Sequence, residues 1–224
     1  MACLAPRITA VVTIEARTLG EAWLALSARI LRDGADAAYD GLPMRELAVV
    51  TLSVAEPDEN DPVIAALADP DWLAWMHANF TLPDDVTELG GARSYGARLR
   101  DYSGRDQVEW VVERLRAEPA SRSATITTFE PLSDTSYIPC VSMLDFWRPQ
   151  GDAVDLVVYA HSLDFGKKAY GNLVELAALQ SHVAGALDVP TGRLVLHVKT
   201  AHVYATEFEL MAGLTGTAPP AVAT

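Results

Sequence analysis

The chain has 224 residues, half of them apolar, which is enough for one sizeable hydrophobic core and too few for two. Its formal net charge of −13 disfavours contact with a phosphate backbone, and it carries no run of lysine and arginine. We therefore predict one domain that binds a small molecule and has no nucleic-acid partner.

The hydrophobic pattern changes period several times along the chain. Apolar residues at every second position predict strands at 8–14, 47–54, 124–129, 141–147, 154–161, 193–197 and 202–209. Apolar residues at helical spacing predict helices at 19–31, 63–80 with a break at Pro70, 106–117 and 173–187. We expect a long, functional loop at 84–102, a domain spanning 1–214 and a flexible tail at 215–224. Together these elements predict an α+β fold, a mostly β framework with helices packed on it.

The number of cysteines and the lack of a long apolar run limit further the classes of protein to which the chain can belong. The chain has two cysteines, Cys3 and Cys140, which form neither a disulfide framework nor a zinc-binding pattern, so we expect no metal. No apolar run approaches the roughly 20 residues of a membrane span, and residues 1–17 do not read as a signal peptide. We expect a cytoplasmic protein without membrane contact.

An ordered series of short motifs runs from residue 88 to residue 204. It reads Glu88-Leu89-Gly90, Tyr95-Gly96, Asp106-Gln107, Glu118-Pro119-Ala120-Ser121-Arg122, Pro139-Cys140, Tyr159 with Ser162 and Asp164, Asn172, and His202-Val203-Tyr204. In order and spacing the series resembles the thymidylate synthases and pyrimidine nucleotide hydroxymethylases, and the opening of the chain resembles their compact archaeal type. The resemblance implies a thymidylate synthase-like fold and transfer of a methyl or hydroxymethyl unit from 5,10-methylenetetrahydrofolate to C5 of a pyrimidine.

Cys140 is the nucleophile that the resemblance implies. C5 of a pyrimidine attacks an electrophile only after a group has added to C6, and a thiolate suits this addition because it is both a good nucleophile and a reversible leaving group. Nearby cationic or hydrogen-bonding groups should lower the pKa of the thiol. The resemblance implies Arg122 of a second subunit as such a group, and with it a two-fold homodimer.

The resemblance assigns the remaining roles as well. Tyr95 would belong to the water network that accepts the C5 proton, and Asp164 would hold the pterin. Asp71 is the candidate surrogate for the family's proton-relaying glutamate, although a shift of one residue would place Trp72 there. The implied substrate contacts are Asn172 to the base, His202 and Tyr204 to the sugar, and Arg122, His161 and Ser162 to a phosphate. Because a carboxamide both donates and accepts hydrogen bonds, Asn172 favours a uracil-type base.

Three positions depart from the family pattern. His161 stands where the family has a phosphate-binding arginine, Ser123 stands where it has a second one, and Lys168 replaces a glycine that gives the folate room. Histidine offers one donor and is only partly charged near neutral pH. Either another arginine, Arg45, Arg98 or Arg100, compensates, or the acceptor is a nucleoside, a free base or another heterocycle of secondary metabolism.

Other interpretations of these residues stay open. A non-catalytic binding module could keep the same fold. Cys140 could be a buried structural thiol, Asn172 the cap of the helix that follows it, and Asp164 a turn residue ahead of Gly166. His202 and Tyr204 could be ordinary residues on one face of a strand.

Overall fold

A computed structural model of the chain describes residues 11–135, 137–149 and 152–221. The α-helices are α1 Leu19–Asp33, α2 Pro62–Leu67, α3 Pro70–Thr81, α4 Tyr95–Arg100, α5 Gln107–Ala117, α6 Ala169–Ala186 and α7 Phe208–Thr215. The strands are β1 Val12–Ala16, β2 Ala35–Tyr39, β3 Leu42–Val54, β4 Asp85–Val86, β5 Ala92–Arg93, β6 Ala124–Thr127, β7 Val141–Trp147, β8 Val154–Asp164 and β9 Thr191–Tyr204. None of the helices in these ranges is long and apolar enough to cross a bilayer.

Seven of the strands form one mixed sheet in the order β1-β3-β9-β8-β7-β6, with β2 paired to β3. β8 and β9 are parallel neighbours joined by α6, whereas β7 is antiparallel to β8 and β3 is antiparallel to β9. The register pairs Ser162 with Thr200 and Asp164 with His202. The carboxyl ends of β8 and β9 therefore lie side by side.

Helices cover one face of this sheet and build the core. Along β8 the residues Leu156, Val158 and Ala160 are fully buried, while Tyr159 between them is 39% exposed. Met143 and Trp147 on β7 are exposed to a similar extent. The sheet therefore has one apolar face under the helices and one open face, as the predicted alternation of period two requires.

α1 fixes the turn that follows β8. Thr18 caps this helix by accepting a hydrogen bond from the backbone N–H of Glu21. One turn further on, the buried indole N–H of Trp23 donates to the carbonyl of Phe165 at 2.9 Å, and the hydroxyl of Ser27 donates to the same carbonyl at 3.3 Å. Since Phe165 directly follows Asp164, α1 sets the position of the end of β8.

Most of the predicted elements are confirmed, including the α+β class, the strand at 141–147 and the helix break at Pro70, where α3 begins. Residues 8–10 of the first predicted strand and Cys3 lie outside the described residues.

The prediction of one long loop at 84–102 was wrong. A short hairpin of β4 and β5 turns at Gly90 and Gly91, and α4 follows it. Ser94 caps α4 by accepting a hydrogen bond from the backbone N–H of Ala97 at 2.9 Å. The serine was a visible start signal that the glycine-rich composition obscured.

The two strands predicted at 193–197 and 202–209 are a single strand, β9, and a helix, α7. Val198 and Ala201 are buried, so the polar Lys199 and Thr200 between them do not interrupt the strand. Phe208, Met211 and Ala212 are buried at helical spacing and place α7 on α1. The segment 217–221 after α7 has no regular structure, and Ala221 lines a cavity of about 250 Å³ beside Met44 and Phe208.

A further hairpin was missed. β2 pairs with the first half of β3 around a turn in which Asp40 has φ 48° and Gly41 has φ 76°. An Asp-Gly pair is a strong signal for such a two-residue turn.

Candidate active site

Cys140 is a free, half-buried thiol immediately before β7. Its carbonyl accepts the backbone N–H of His161 at 2.9 Å, which ties it to β8. The next residue, Val141, donates its N–H to the hydroxyl of Tyr95 at 3.0 Å and accepts the hydroxyl of Thr128 with its carbonyl. Three separate segments thus fix the main chain on either side of the sulfur.

Tyr95 is the first residue of α4 and only 5% exposed. Its N–H donates to the side-chain oxygen of Asn79 at 3.1 Å, and its ring lies 4.4 Å from that of Phe80. Burial, with a contribution from the nearby Cys140, raises the pKa of Tyr95 well above its ordinary value. The phenol stays protonated and can donate its own proton toward the site.

A buried ion pair supports the same region. Both terminal nitrogens of the Arg98 guanidinium donate to the carboxylate of Asp134, at 2.7 and 2.8 Å. Arg98 also donates to the carbonyls of Arg93 and Thr128. Both side chains are almost fully buried, at 3% and 6% exposure. This fork holds the segment that carries Thr128, which in turn holds Val141 beside the thiol.

The ends of β8 and β9 bring a second group of residues together. The hydroxyl of Ser162 lies 3.3 Å from Nδ1 of His202, and the rings of His202 and Tyr204 meet edge to face with centroids 4.9 Å apart. Asp164 accepts the backbone N–H of Gly166 at 3.0 Å. The turn interpretation of Asp164 is thus confirmed as a local contact, made through one of the two carboxylate oxygens.

Burial shifts the titration of this second group. It raises the pKa of Asp164 to about 6, although the Gly166 N–H and the ammonium of Lys168 act in the opposite direction. It lowers the pKa of His202 to about 4, so the imidazole is neutral near pH 7. It also raises the pKa of Tyr204, with a further contribution from Asp164. The site therefore presents a neutral imidazole and a neutral phenol beside one carboxylate.

Asn172 lies in the first turn of α6 and is 4% exposed. Its amide nitrogen lies 3.4 Å from the sulfur of Met76 on α3. The cap interpretation of Asn172 was wrong, because α6 begins three residues earlier, after Lys168. At Gly171 a Cβ atom would lie 2.9 Å from Cβ of Met76, so glycine is what allows α3 to approach the base of this helix.

Trp72, and not Asp71, faces the start of α6. The ammonium groups of Lys167 and Lys168 each lie 5.0 Å from the centre of the Trp72 ring, and that of Lys168 lies 5.3 Å from Trp75. Asp71 is exposed in the first turn of α3. Among the described residues the Asp71 side chain makes no hydrogen bond to the group around Cys140, and its catalytic role stays a prediction.

Arg122 also lies away from Cys140 within one chain. It precedes β6, whose Ala124 pairs with Phe146 near the far end of β7. At about 3.3 Å per residue, this puts Arg122 roughly 20 Å from Cys140. Arg122 is exposed and lines a cavity of about 390 Å³ together with Asp145, Trp147 and Val157.

The electrostatic surroundings of Cys140 differ from those expected. Burial raises the pKa of the Cys140 thiol, the positive charge of Lys168 lowers it, and the negative charge of Asp164 raises it. His161, which stands at the expected phosphate contact, has its pKa lowered by burial and by the nearby Lys199.

Within the described ranges no group of three or more His, Cys, Asp or Glu side chains could hold a metal ion.

The sequence alone did not identify several supporting residues. Arg98 and Asp134 were not recognised as a pair, Thr128 was not singled out, and Gln107 was named in the motif series without a role. Gln107 links α5 to α4 and β6, because its side-chain amide donates to the carbonyls of Arg98 and Thr127 at 2.9 and 2.7 Å. Its place directly after the capping Asp106 was visible in the sequence, whereas its partners were not.

Similarity to known proteins agrees with this geometry. The family profile described as thymidylate synthase matches residues 58–221. The chain is 29% identical to a protein named "Putative thymidylate synthase" from Methanothermobacter marburgensis, over 88% of this chain and 94% of the relative. A protein of the same name from Methanothermobacter thermautotrophicus is 26% identical over 88% of this chain and 95% of the relative's length. Another from Methanopyrus kandleri is 35% identical over 50% of this chain and 54% of that relative's length.

Proposed function

The chain belongs to the thymidylate synthase family, and on that premise we propose that it transfers a one-carbon unit to C5 of a uracil-type ring through Cys140. The observation that carries the proposal is the convergence of separate elements on the thiol. Tyr95 of α4 reaches it through Val141, and Asp164 and Lys168 act on its charge from the end of β8. The family uses methylenetetrahydrofolate as its co-substrate.

In the proposed reaction Cys140 adds to C6, and C5 then bonds to the one-carbon unit. Water takes the C5 proton and the C6–S bond breaks, which restores the thiolate; hydride from tetrahydrofolate would complete a methyl group, or addition of water a hydroxymethyl group. Asn172, buried at the start of α6, would read the O4 and N3–H edge of the base with its carboxamide. The neutral His202 and the phenol of Tyr204 would bind a sugar hydroxyl. Tyr95, protonated and beside the sulfur, would order the water that removes the C5 proton.

The residues around Asp164 fit a pterin. Its second carboxylate oxygen can accept from the N–H edge of such a ring, and the indoles of Trp72 and Trp75, which pack edge to face, line the neighbouring wall. When bound, the folate supplies the one-carbon unit. Asp164 would orient it, and burial would keep water out.

We further propose that the acceptor is bound by its base and sugar more than by a phosphate. His161 has a lowered pKa and is therefore mostly neutral at pH 7, so it offers phosphate one weak donor in place of an arginine fork. A nucleoside, or a related heterocycle of secondary metabolism, suits this site better than a nucleotide.

We propose that two copies pair through the open face of the sheet. Met143, Trp147 and Tyr159 expose apolar surface on that face, and Arg122 is too far from Cys140 to serve it within one chain. Mixing Cys140→Ala with Arg122→Ala chains tests a shared site. Mixed dimers should regain activity that neither variant has alone, and a monomer on a sizing column would contradict the pairing.

The activity is tested by release of tritium from C5 in the presence of methylenetetrahydrofolate. The acceptors are UMP, dUMP, CMP, dCMP, uridine, deoxyuridine and cytidine, and the variants are Cys140→Ala and, as the matched thiol control, Cys3→Ala. We expect release from a uracil-type acceptor that Cys140→Ala abolishes and Cys3→Ala preserves. Product analysis then separates methyl from hydroxymethyl transfer. Absence of release from every acceptor would contradict the proposal and favour a binding module.

A further inference from the structure

The buried carboxamide of Asn172 on α6 contacts the sulfur of Met76 on α3. The two residues are 4% and 2% exposed, and Nδ2 of Asn172 donates to Sδ of Met76 at 3.4 Å. The backbone N–H of Asn172 bonds separately, to the carbonyl of Lys168 at 3.1 Å in the first turn of α6. The contact with the sulfur is therefore made by the side chain of Asn172 alone.

A thioether determines which way round this carboxamide lies. The sulfur of methionine can accept a hydrogen bond but cannot donate one. The amide nitrogen of Asn172 therefore faces Met76, since a carbonyl oxygen in that place would meet a second electron-rich atom with no proton between the two. Of the two orientations that exchange the amide oxygen and nitrogen, the contact permits one.

Contacts on either side of Met76 hold α3 against α6. A Cβ atom at Gly171 would lie 2.9 Å from Cβ of Met76, so the two helices approach as closely as a glycine allows. The next residue on α3, His77, has its Nδ1 3.1 Å from Oε1 of the buried Glu175, which lies one turn beyond Asn172. The position of the sulfur is therefore fixed by packing and cannot follow the amide if it turns.

The orientation of a carboxamide decides which pyrimidine it matches. Uracil presents an acceptor at O4 beside a donor at N3, whereas cytosine presents a donor at N4 beside an acceptor at N3. The edge of an amide that consists of its oxygen and one N–H can pair with either base, but it has to turn by half a revolution between them. The second N–H of the amide remains, and in Asn172 the sulfur of Met76 can accept it.

We propose that Met76 is the positioning residue that holds the carboxamide of Asn172 in the orientation for a uracil-type base and so selects against cytosine. This assignment rests on the proposed function, in which Asn172 reads the base, and deepens it by naming what sets the choice of base. Met76 does not touch the acceptor itself and acts through Asn172.

The test measures equilibrium binding by calorimetry, which requires no turnover, with the ligand pairs deoxyuridine and deoxycytidine, and dUMP and dCMP. Leucine at position 76 keeps a similar apolar volume and removes the acceptor. Met211→Leu is the matched control, because Met211 is a fully buried methionine on α7. We expect the wild type to prefer the uracil ligand, and Met76→Leu to reduce the ratio of the two dissociation constants about fivefold, the effect of one hydrogen bond. Met211→Leu should preserve the ratio.

A loss of packing would weaken both ligands by the same factor and leave the ratio unchanged. An unchanged ratio in a folded Met76→Leu protein would therefore overturn the inference, as would an equal change in Met211→Leu. Near-ultraviolet circular dichroism checks folding, and Met76→Ile replaces Met76→Leu if the latter does not fold. In an Asn172→Ala background Met76→Leu should have no effect on the ratio, because no carboxamide is left to hold, and a remaining effect would also contradict the inference.

The tritium assay separates this inference from the proposed function. Discrimination between the bases that depends on Met76, without tritium release from any acceptor, would support the inference and refute the proposed transfer. Tritium release together with a ratio that does not depend on Met76 would do the reverse. A wild-type protein that binds the uracil and cytosine ligands equally, or binds neither, would overturn the inference as well.

Discussion

Asp164 and His202 are register partners at the ends of the parallel strands β8 and β9, and burial moves their pKa values in opposite directions. The pKa of Asp164 is raised to about 6, and that of His202 is lowered to about 4. Between these values both side chains are uncharged. Their contributions to stability therefore have opposite dependences on pH, and each can be measured separately.

Asp164→Asn is expected to stabilise the protein at alkaline pH. In the unfolded chain this aspartate ionises near 3.8, so between pH 4 and 6 the folded state holds the extra proton and the free energy of unfolding falls as the pH rises. A shift of roughly two units, at about 1.4 kcal/mol per unit, gives a penalty of up to about 3 kcal/mol above pH 6. Urea unfolding should show the variant roughly 1–3 kcal/mol more stable at pH 8 and equal to wild type at pH 4. The same difference at both values would mean that the ionised carboxylate is not the cause.

His202→Gln is expected to remove a loss of stability on the acid side. The unfolded histidine takes up a proton near 6.5, whereas the folded one resists it until about pH 4, so the wild type becomes less stable as the pH falls through this range. Glutamine keeps a polar partner for Ser162 and does not titrate. The slope of the free energy of unfolding between pH 6.5 and 4.5 should become smaller in the variant. An unchanged slope would place the acid sensitivity elsewhere.

The Arg98–Asp134 pair gives a prediction about stability. Asp134→Ala leaves a buried guanidinium without its partner and should cost about 3–5 kcal/mol, whereas Arg98→Met combined with Asp134→Leu should cost less than this single change. Urea unfolding of Arg98→Met, Asp134→Leu and the double variant forms the cycle.

Arg100→Met is the matched control, because Arg100 pairs with Asp106 at 3.4 Å with both side chains partly exposed. Its cost should stay below about 1 kcal/mol. A double variant at least as unstable as Asp134→Ala would contradict the view that the unpaired charge dominates.

Tyr95→Phe removes the acceptor of the Val141 N–H, and that buried donor should be left without a partner. We expect a loss of about 1–3 kcal/mol in the free energy of unfolding, together with altered alkylation of Cys140 by iodoacetamide. Tyr102→Phe is the control, since the Tyr102 hydroxyl donates in a 3.3 Å bond to the carbonyl of Phe129 and not to Val141. Equal effects of the two changes would show that the Tyr95 contact has no special role beside the thiol.

The sequence predicts strands and helices well where the spacing of apolar residues follows a single period. The alternation in Val141–Trp147 and the capped apolar stripe of α1 leave little choice, because each buries one face. Asp40-Gly41 and Ser94 were usable signals for a hairpin and a helix that were overlooked.

Partners across long stretches of chain could not be predicted in this way. Arg98 and Asp134 are 36 residues apart, and the sequence contains many other carboxylates that could have been the partner of this arginine. The ammonium of Lys168 finds its indoles only after α3 and α6 have packed together. Motif spacing predicts which residues belong to the site, whereas three-dimensional packing decides which charged and aromatic groups meet.

His161→Arg should strengthen recognition of phosphate. Because the pKa of His161 lies below its ordinary value of 6.5, the wild-type ring is largely neutral at pH 8, while arginine stays charged and donates through two nitrogens. We expect the kcat/KM ratio of dUMP to deoxyuridine, measured by tritium release, to rise about tenfold at pH 8, the effect of one charged hydrogen bond.

This advantage of His161→Arg should shrink as the pH is lowered, once the wild-type ring takes up a proton at a pH below its ordinary pKa of 6.5. The phosphate also takes up a proton near pH 6, so the two proteins are compared at each pH, which cancels that change. An unchanged ratio at pH 8 would mean that position 161 does not face the acceptor's phosphate. The departure from the family pattern would then not explain the choice of acceptor, and the base and sugar contacts of Asn172, His202 and Tyr204 would have to account for it.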